Sequence, residues 1–458
     1  VAGLRRVLIA NRGEIAVRIL RACFDEGLET VLAVSEADRE SLGAQLADRA
    51  VCIGPAGAGE SYLDVDRVVS AAVVTGCDAL HPGYGFLSER PELPAECAEA
   101  GIAFVGPSET AMRRSGDKAT ARALSRELGI AVGDGSDVLT DADAARAVAD
   151  EIGYPVLLKA AAGGGGRGMR LVEAREELEA AWNSASGEAQ QAFGDGRLFA
   201  ERYVRRARHV EVQVLADAAG TVVHLGHRDC TLQRRYQKLI EEAPAAGLPA
   251  ELDRAIVAAA TRLIGALEYQ GAATCEFLVD VERDTYAFLE INARLQVEHP
   301  VTEMVTGIDI VREQLRIAGG APLSFGQDDV VVRGHAIEVR INAERPEDGF
   351  LPAPGRLERW VAPIGTDVRV DTACYPGWIV PPHYDSLLAK VIAHGADRSA
   401  ALRRIDHALR HLRVEGVPTT TGFALDVLQH PDVAAGRVHT RWLEEELLPS
   451  WTPAEEAA

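Results

Sequence analysis

Short apolar runs alternate with helix-period stretches through the first part of the chain. RVLIA at 6–10 is followed by the amphipathic stretch 14–26 and Gly27, then by 31–34, the helical pattern 62–75, 79–81, and 102–105 before Gly106-Pro107. Alternating β and α patterns of this kind predict a parallel sheet covered by helices over residues 1–113. The turn after the first strand reads Asn11-Arg12-Gly13-Glu14, with one glycine. A dinucleotide fingerprint carries several at that turn, so the sheet is expected to be Rossmann-like without a dinucleotide.

A helical linker over 114–132 contains Lys118, and the next unit, 133–204, opens on a polar stretch. It then reads as a strand at 155–160, the glycine run 163–168, a strand at 169–172, a helix at 174–193 and a strand at 197–204. This is the size of a mobile lid. In 209–217 the pattern has period two, which places His209, Glu211 and Gln213 on one strand face and Val210, Val212 and Val214 on the other. A turn at 218–220 makes a hairpin with 221–226; a helix at 251–268 precedes a second hairpin, 274–280 with 286–292. Further strands at 331–341 and a helical end complete an α+β region. The expected division is a core over 205–330, a C-terminal domain over 331–448 and a disordered tail over 449–458. The fold class is thus α/β followed by α+β.

Composition narrows the function. The net charge of −21 argues against nucleic acid and against an anionic membrane as partners, because both require a basic footprint. No run approaches the roughly 20 apolar residues of a membrane span. The cysteines at 23, 52, 77, 97, 230, 275 and 374 form no C-x-x-C pair, so neither a zinc site nor a disulfide framework is indicated, and a reducing cytoplasmic location is the expectation. Of 48 basic residues only four are lysine: Lys118, Lys159, Lys238 and Lys390. Codon bias towards arginine explains the surface, and the four exceptions are candidates for places where a compact ammonium fits better than a planar fork, although Lys390 has no role that the sequence assigns.

GGGGRG at 163–168 satisfies G-x-G-x-x-G but is followed by MRLV, a strand rather than a helix. A strand, glycine loop and strand form a flap whose N–H groups can close over a polyphosphate; the alternative is a flexible hairpin tip. Lys159 ends the strand entering it. No Gly-Lys pair exists, which excludes a P-loop. In the second hairpin, Glu290 and Asn292 share a face with Glu276 opposite them. Three oxygen donors on one face suit Mg²⁺, the alternative being a solvated strand face. Beyond them, Arg294-Leu295-Gln296-Val297-Glu298-His299-Pro300 offers a guanidinium for a small oxyanion and a carboxylate for general base. The stretch 228–238 is similarly polar, and Cys230 within it reads as a packed thiol.

Together IANRGEIAVRILRA (9–22), HPGYGFLSE (81–89), GGGGRGMR (163–170), RHVEVQVL (208–215), RDCTLQRR (228–235), EINARLQVEHPVTEM (290–304), GHAIEVRINAE (334–344) and PAPG (352–355) resemble biotin carboxylases of the ATP-grasp superfamily, nearly end to end. The resemblance implies an N-terminal Rossmann-like domain, an ATP-grasp lid and core, and a biotin-carboxylase C-terminal domain. It implies that Lys118, Lys159, Gly165 and Gly166 hold ATP phosphates. Glu201, Arg202, Tyr203 and Val204 would line the adenine pocket, with His209, Gln233 and Tyr236 beside the nucleotide. Glu276, Glu290 and Asn292 would bind Mg²⁺ or Mn²⁺. Lys238, Arg294, Gln296 and Val297 match the bicarbonate site, Glu298 the base, Arg340 the group stabilising the biotin enolate, and Tyr84 a neighbour of the ureido ring. Three departures stand out: Ala161 and Ala162 precede the glycine run, Tyr236 replaces a common His, and His383 replaces a frequent Tyr.

The implied reaction carboxylates biotin on a carrier with ATP and bicarbonate through carboxyphosphate. Met112, Met169 and Met304 adjoin no lysine, whereas a biotinyl lysine is usually flanked by methionines. The expected partners are therefore a separate biotin carboxyl carrier protein and a carboxyltransferase, the acceptor being acetyl-CoA, another acyl-CoA or pyruvate, and the expected assembly is a homodimer. The alternatives are a different ATP-grasp ligase and a nucleotide-binding subunit without enzymatic activity; Arg340 together with Glu298 distinguishes the carboxylase from the first, and no catalytic group is missing as the second would require.

Overall fold

The computed structural model describes residues 3–161, 168–280 and 283–453. Its N-terminal sheet is all parallel, in the order β3-β2-β1-β4-β5, with β1 Arg6–Ile9, β2 Glu29–Ser35, β3 Arg49–Gly54, β4 Ala79–His81 and β5 Ala103–Phe104. Val7, Ile9 and Leu32 face one apolar cluster and Leu8, Val31 and Leu80 another. That two-sided burial is why these strands read as continuous apolar runs. The edge strand β3 was not legible because Arg49 and Cys52 are exposed on it. Helix α1, Gly13–Asp25, follows β1 directly, and the strand order reverses between β1 and β4. There a crevice forms at the carboxyl ends of the strands, bridged by Asn11 Nδ2, which donates to the carbonyls of Pro82 and Tyr84 at 2.7 Å.

Lys118 is the first residue of α2, Lys118–Glu127, which Asp117 caps by accepting from the Thr120 N–H at 2.7 Å. The lid carries a three-stranded sheet, β7-β6-β8, built from β6 Val156–Ala160, β7 Arg170–Val172 and β8 Leu198–Arg202. Helices α3, Ala142–Ile152, and α4, Leu178–Phe193, cover it around Val156, Leu158, Trp182 and Leu198. The polar composition around 133–143 concealed α3, although Asp141 caps it on the Ala144 N–H at 2.8 Å. The glycine-run positions Gly165 and Gly166 lie outside the described residues.

The remaining chain builds an eight-stranded sheet in the order β13-β12-β9-β10-β11-β14-β16-β15. Its strands are β9 Ala207–Ala216, β10 Val222–Arg234, β11 Gln237–Ala243, β12 Gly271–Asp280, β13 Thr285–Asn292, β14 His335–Asn342, β15 Val368–Thr372 and β16 Leu387–Gly395. Helix α5, Ala250–Ala266, packs on β9, β10, β12 and β13, while α6, His299–Thr306, lies against β10, β11, β14 and β16. The antiparallel pairing of β11 with β14 carries the sheet across position 330 without a break. The expected disordered tail is ordered at its start: Trp451 Nε1 donates to Asp426 at 2.8 Å and its ring meets Phe423 edge-on. An aromatic anchor outweighs the polar residues around it.

Candidate active site

Strand pairing assembles a polar row across four strands, in which Glu290 opposes Glu276, Glu276 opposes Glu211 and Glu211 opposes Arg228. Arg228 is fully buried. Its guanidinium donates to Glu211 Oε1 at 2.6 Å, Gln213 Oε1 at 2.8 Å, Thr302 Oγ1 at 3.0 Å and Thr274 Oγ1 at 3.2 Å. A buried charge persists only when its donors are satisfied in this way.

Three carboxylates converge on one ammonium. Lys238 Nζ donates to Glu298 Oε1 at 2.5 Å, Glu211 Oε2 at 2.6 Å and Glu276 Oε1 at 3.0 Å. Glu298, the N-cap of α6, is fully buried, and its second oxygen accepts from Arg340 Nη2 at 2.9 Å. Arg340 Nε in turn donates to Glu241 at 2.6 Å. Burial disfavours the Glu298 charge, yet Lys238 and Arg340 outweigh it and hold the carboxyl well below the usual range. Cys230 Sγ lies 3.9 Å from Glu298 Oε1, and burial raises its thiol well above the ordinary value. A protonated, packed thiol results.

Glu338 opposes Glu241 on the neighbouring strand, and both its oxygens are buried without a hydrogen-bond partner. Burial is the main cause that pushes its carboxyl well above the usual range, with Glu241 and Glu298 adding to it against Lys390 and Arg340. Glu241 is likewise pushed up by burial, to about 7.

On the β12–β13 hairpin Glu290 opposes Glu276 in register, and Asn292 bonds Glu276. Glu276 Oε1 accepts from Asn292 Nδ2 at 2.9 Å and Gln296 Nε2 at 3.2 Å, and its Oε2 lies 2.9 Å from His209 Nε2. Lys118 Nζ stands 3.3 Å from Glu290 Oε2. Asn292 Oδ1 accepts from Arg294 Nη2 at 3.1 Å. The protein's own ammonium groups thus occupy this acidic patch, and Glu290 remains partly exposed beside it. Hard oxygen donors with an open side fit Mg²⁺. Two other triplets, His209, Glu211 and Glu276, and Glu211, Cys230 and Glu298, bring ligand atoms within 4.8 Å of one another. Their carboxylates are already taken by Arg228, Lys238 and Arg340.

Arg294 Nε pairs with Glu89 Oε2 at 3.0 Å, and its Nη1 donates to the Leu295 carbonyl and to Gln296 Oε1 at 3.2 and 3.1 Å. This joins the loop before α6 to the N-terminal domain. At the lid, Lys159 Nζ donates to Glu201 Oε2 at 2.5 Å while Arg122 holds the other oxygen. Glu201 is therefore engaged by two cations. Arg202 projects to a different cleft, of about 440 Å³, lined also by Arg126, Asp134 and Glu151, where it pairs with Asp134 at 3.1 Å. Gln233 Nε2 donates to the Cys230 carbonyl at 3.0 Å and lies 3.3 Å from His209 Nδ1. Tyr236 sits exposed in the β10–β11 turn at φ 66°. Tyr203 is a neighbour of Arg441. Nothing in the structure explains His383, which lies edge-on to Tyr384.

Tyr84 donates its hydroxyl to Glu14, which also lies 3.1 Å from Lys390 Nζ. Sequence reasoning did not assign Glu14, Glu89, Arg122, Glu211, Arg228, Glu241 or Glu338. Glu211 was within reach, since it shares the alternating face with His209; Arg228 lies in the polar stretch already singled out.

The sequence matches the families described as "Biotin carboxylase, N-terminal domain" over residues 3–112, "Carbamoyl-phosphate synthase L chain, ATP binding domain" over 117–325 and "Biotin carboxylase C-terminal domain" over 338–445. It is 47% identical over 442 residues to biotin carboxylase 1 of Bacillus subtilis, covering 96% of this chain and 98% of that one. With a pyruvate carboxylase subunit of Methanothermobacter thermautotrophicus it shares 44% identity, covering 96% and 89%. A crystal structure of the biotin carboxylase domain dimer of Hydrogenobacter thermophilus 2-oxoglutarate carboxylase, in complex with MgADP, ADP and bicarbonate, superposes with a TM-score of 0.93 at 42% identity, covering 97% of this chain and 98% of that chain. No helix among the described residues is long and apolar enough to cross a membrane. The chain belongs to the biotin carboxylase family and is an ATP-grasp ligase.

Proposed function

We propose that this protein performs the first half-reaction of an acyl-CoA carboxylase: ATP, bicarbonate and biotin on a separate carrier protein give ADP, phosphate and carboxybiotin through carboxyphosphate. The observation that carries the reading is the shared position of Glu298, bound on one oxygen by Lys238 and on the other by Arg340. That geometry supplies a charged, oriented carboxylate between two fixed cations.

In this reading Lys238, Arg294, Gln296 and the Val297 backbone hold bicarbonate. An anion placed between Lys238 and Arg294 draws the ammonium charge away from Glu298, which makes Glu298 a better base for the bicarbonate proton. The deprotonated substrate then attacks the γ-phosphoryl group, whose oxygens Lys118 and Lys159 neutralise. Glu276, Glu290 and Asn292 would hold Mg²⁺ or Mn²⁺, which when bound spreads the charge developing on the phosphates. Closure of the lid, with Glu201, Tyr203, Val204, His209, Gln233 and Tyr236 towards the nucleotide and the Arg202 side chain left in its separate cleft, excludes water from carboxyphosphate, and Gly165 and Gly166 would contact the ATP phosphates. Arg340 stabilises the biotin enolate, with Tyr84 at the ureido ring.

The proposed setting is a cytoplasmic homodimer acting with a biotin carboxyl carrier protein and a carboxyltransferase, in fatty acid biosynthesis if acetyl-CoA is the acceptor. The pyruvate carboxylase relative favours pyruvate as a second reading. Biotin-dependent ADP release that requires bicarbonate tests the half-reaction, and its absence overturns it. Copurification of an acyl-CoA carboxyltransferase supports the first reading; copurification of a pyruvate-specific one supports the second.

A further inference from the structure

Lys390 received no role from the sequence, and the structure gives it one. It sits on β16 with no exposed surface, opposite Arg340 of β14 on one side and Asp371 of β15 on the other. Directly paired residues of adjacent strands point to the same sheet face. Arg340 and Lys390 therefore rise side by side. Arg340 reaches the Glu298 side chain, while Lys390 Nζ donates to the Val297 carbonyl at 2.8 Å. The same ammonium lies 3.1 Å from Glu14 Oε1 in the N-terminal domain and 3.9 Å from Asp371 Oδ2.

We infer that Lys390 is a positioning residue for the loop that carries Gln296, Val297 and Glu298, clamping its backbone between the eight-stranded sheet and α1. Glu14 and Asp371 compensate the buried charge but do not require that a donor turn to a backbone carbonyl. That bond has a geometric effect. The peptide joining Val297 to Glu298 is planar, with its carbonyl and N–H pointing in opposite directions. Holding the carbonyl at Lys390 fixes the whole peptide plane and turns the Glu298 N–H away from β16. It also sets the start of α6, whose N-cap is Glu298. One nitrogen that meets a carboxylate of α1 and a loop carbonyl suits a compact ammonium with rotating donors better than a planar guanidinium, in a protein that otherwise uses arginine almost throughout.

The inference rests on the reading of this loop as the bicarbonate site, so the experiment begins with biotin-dependent ADP release by the unmodified protein. Failure there sinks the proposed function itself. With that activity present, Lys390→Met keeps the length of the side chain and removes the donor. Because the variant leaves Glu14 buried without its cation, Lys390→Met with Glu14→Gln serves as the second variant if the first does not fold. In the variant that folds, kcat is expected to fall on the order of a hundredfold, the cost of a misplaced reacting group, and the KM for bicarbonate to rise while the KM for ATP stays unchanged. An unaltered kcat, or a loss shared by the KM for ATP, overturns the inference. So does failure of both variants to fold, which would make the ammonium a requirement of the fold rather than of the loop.

Discussion

Arg340 and Glu298 meet at 2.9 Å, and the same guanidinium binds Glu241 through Nε, so one arginine joins the loop before α6 to a second buried acid. This contact fixes the Glu298 carboxylate independently of Lys238. Glu298→Gln preserves shape and removes the base. Bicarbonate-dependent turnover should fall about 10²- to 10⁴-fold, the usual contribution of general base catalysis. A rate within a few-fold of the original protein would exclude Glu298 from that role.

Lys238 serves three carboxylates at 2.5 to 3.0 Å. A planar fork holds its donors in one plane and cannot aim them at three acceptors converging on one point. Lys238→Arg should therefore reduce carboxylation by about 10²-fold, as misplacement of a reacting group does, while the melting temperature changes little. Steady-state kinetics beside a thermal melt measure both, and near-normal turnover would return the scarcity of lysine to codon bias alone.

The pair Glu241 and Glu338 sets a pH dependence of stability. Both carboxyls have folded pKa values above their unfolded ones, chiefly through burial. Such groups stabilise the fold below the unfolded pKa, near 4.3 for glutamate, and that stability is lost as the pH rises through the folded pKa. Glu338→Gln cannot ionise. Its melting temperature relative to the original protein should rise as the pH climbs above the unfolded pKa of about 4.3. A difference that does not vary with pH would show that Glu338 ionises in the folded protein as it does in the unfolded chain, so that burial does not raise its pKa.

Lys118 and Lys238 rest on the same acidic patch that is proposed to hold the metal. Addition of MgADP should raise the melting temperature of the original protein, by about 2.7 kcal/mol of stability at a hundred times the dissociation constant. Glu290→Gln should weaken that shift for MgADP and leave the smaller shift for ADP with chelator unchanged. A MgADP shift in the variant as large as that of the original protein would remove Glu290 from the metal site.

Local patterns carried much of this site. The alternation at 209–217 matches β9, fully buried along its length, and the antiparallel pairing of β12 with β13 brings Glu276 opposite Glu290 in register. The scarcity of lysine pointed to Lys118, Lys159 and Lys238, all of which lie on acidic groups of the cleft. The contacts that sequence could not show are those closed by the tertiary fold. Arg122 meets Glu201 only because α2 packs beneath the lid, and Lys390 meets Glu14 only because β16 passes under α1. Neither has a local signal. The pairing of Glu241 with Glu338 depends on a β11–β14 register that no turn connects, so two neighbouring buried acids looked like ordinary strand residues.

The unbroken sheet from β13 to β15 has a further consequence for how the molecule comes apart. Matches to separate family descriptions end at 325 and resume at 338, yet the hydrogen-bonded ladder crosses that interval and shares the buried residues Leu232, Ile240, Ile337 and Val391. The ATP-binding core and the C-terminal part are therefore expected to open as one cooperative unit in amide hydrogen exchange, and the lid, with its own three strands and core, as a separate unit at a lower free energy. A truncation at the apparent domain boundary would cut through a foldon, leaving β11 as a raw edge beside the residues that hold Glu298.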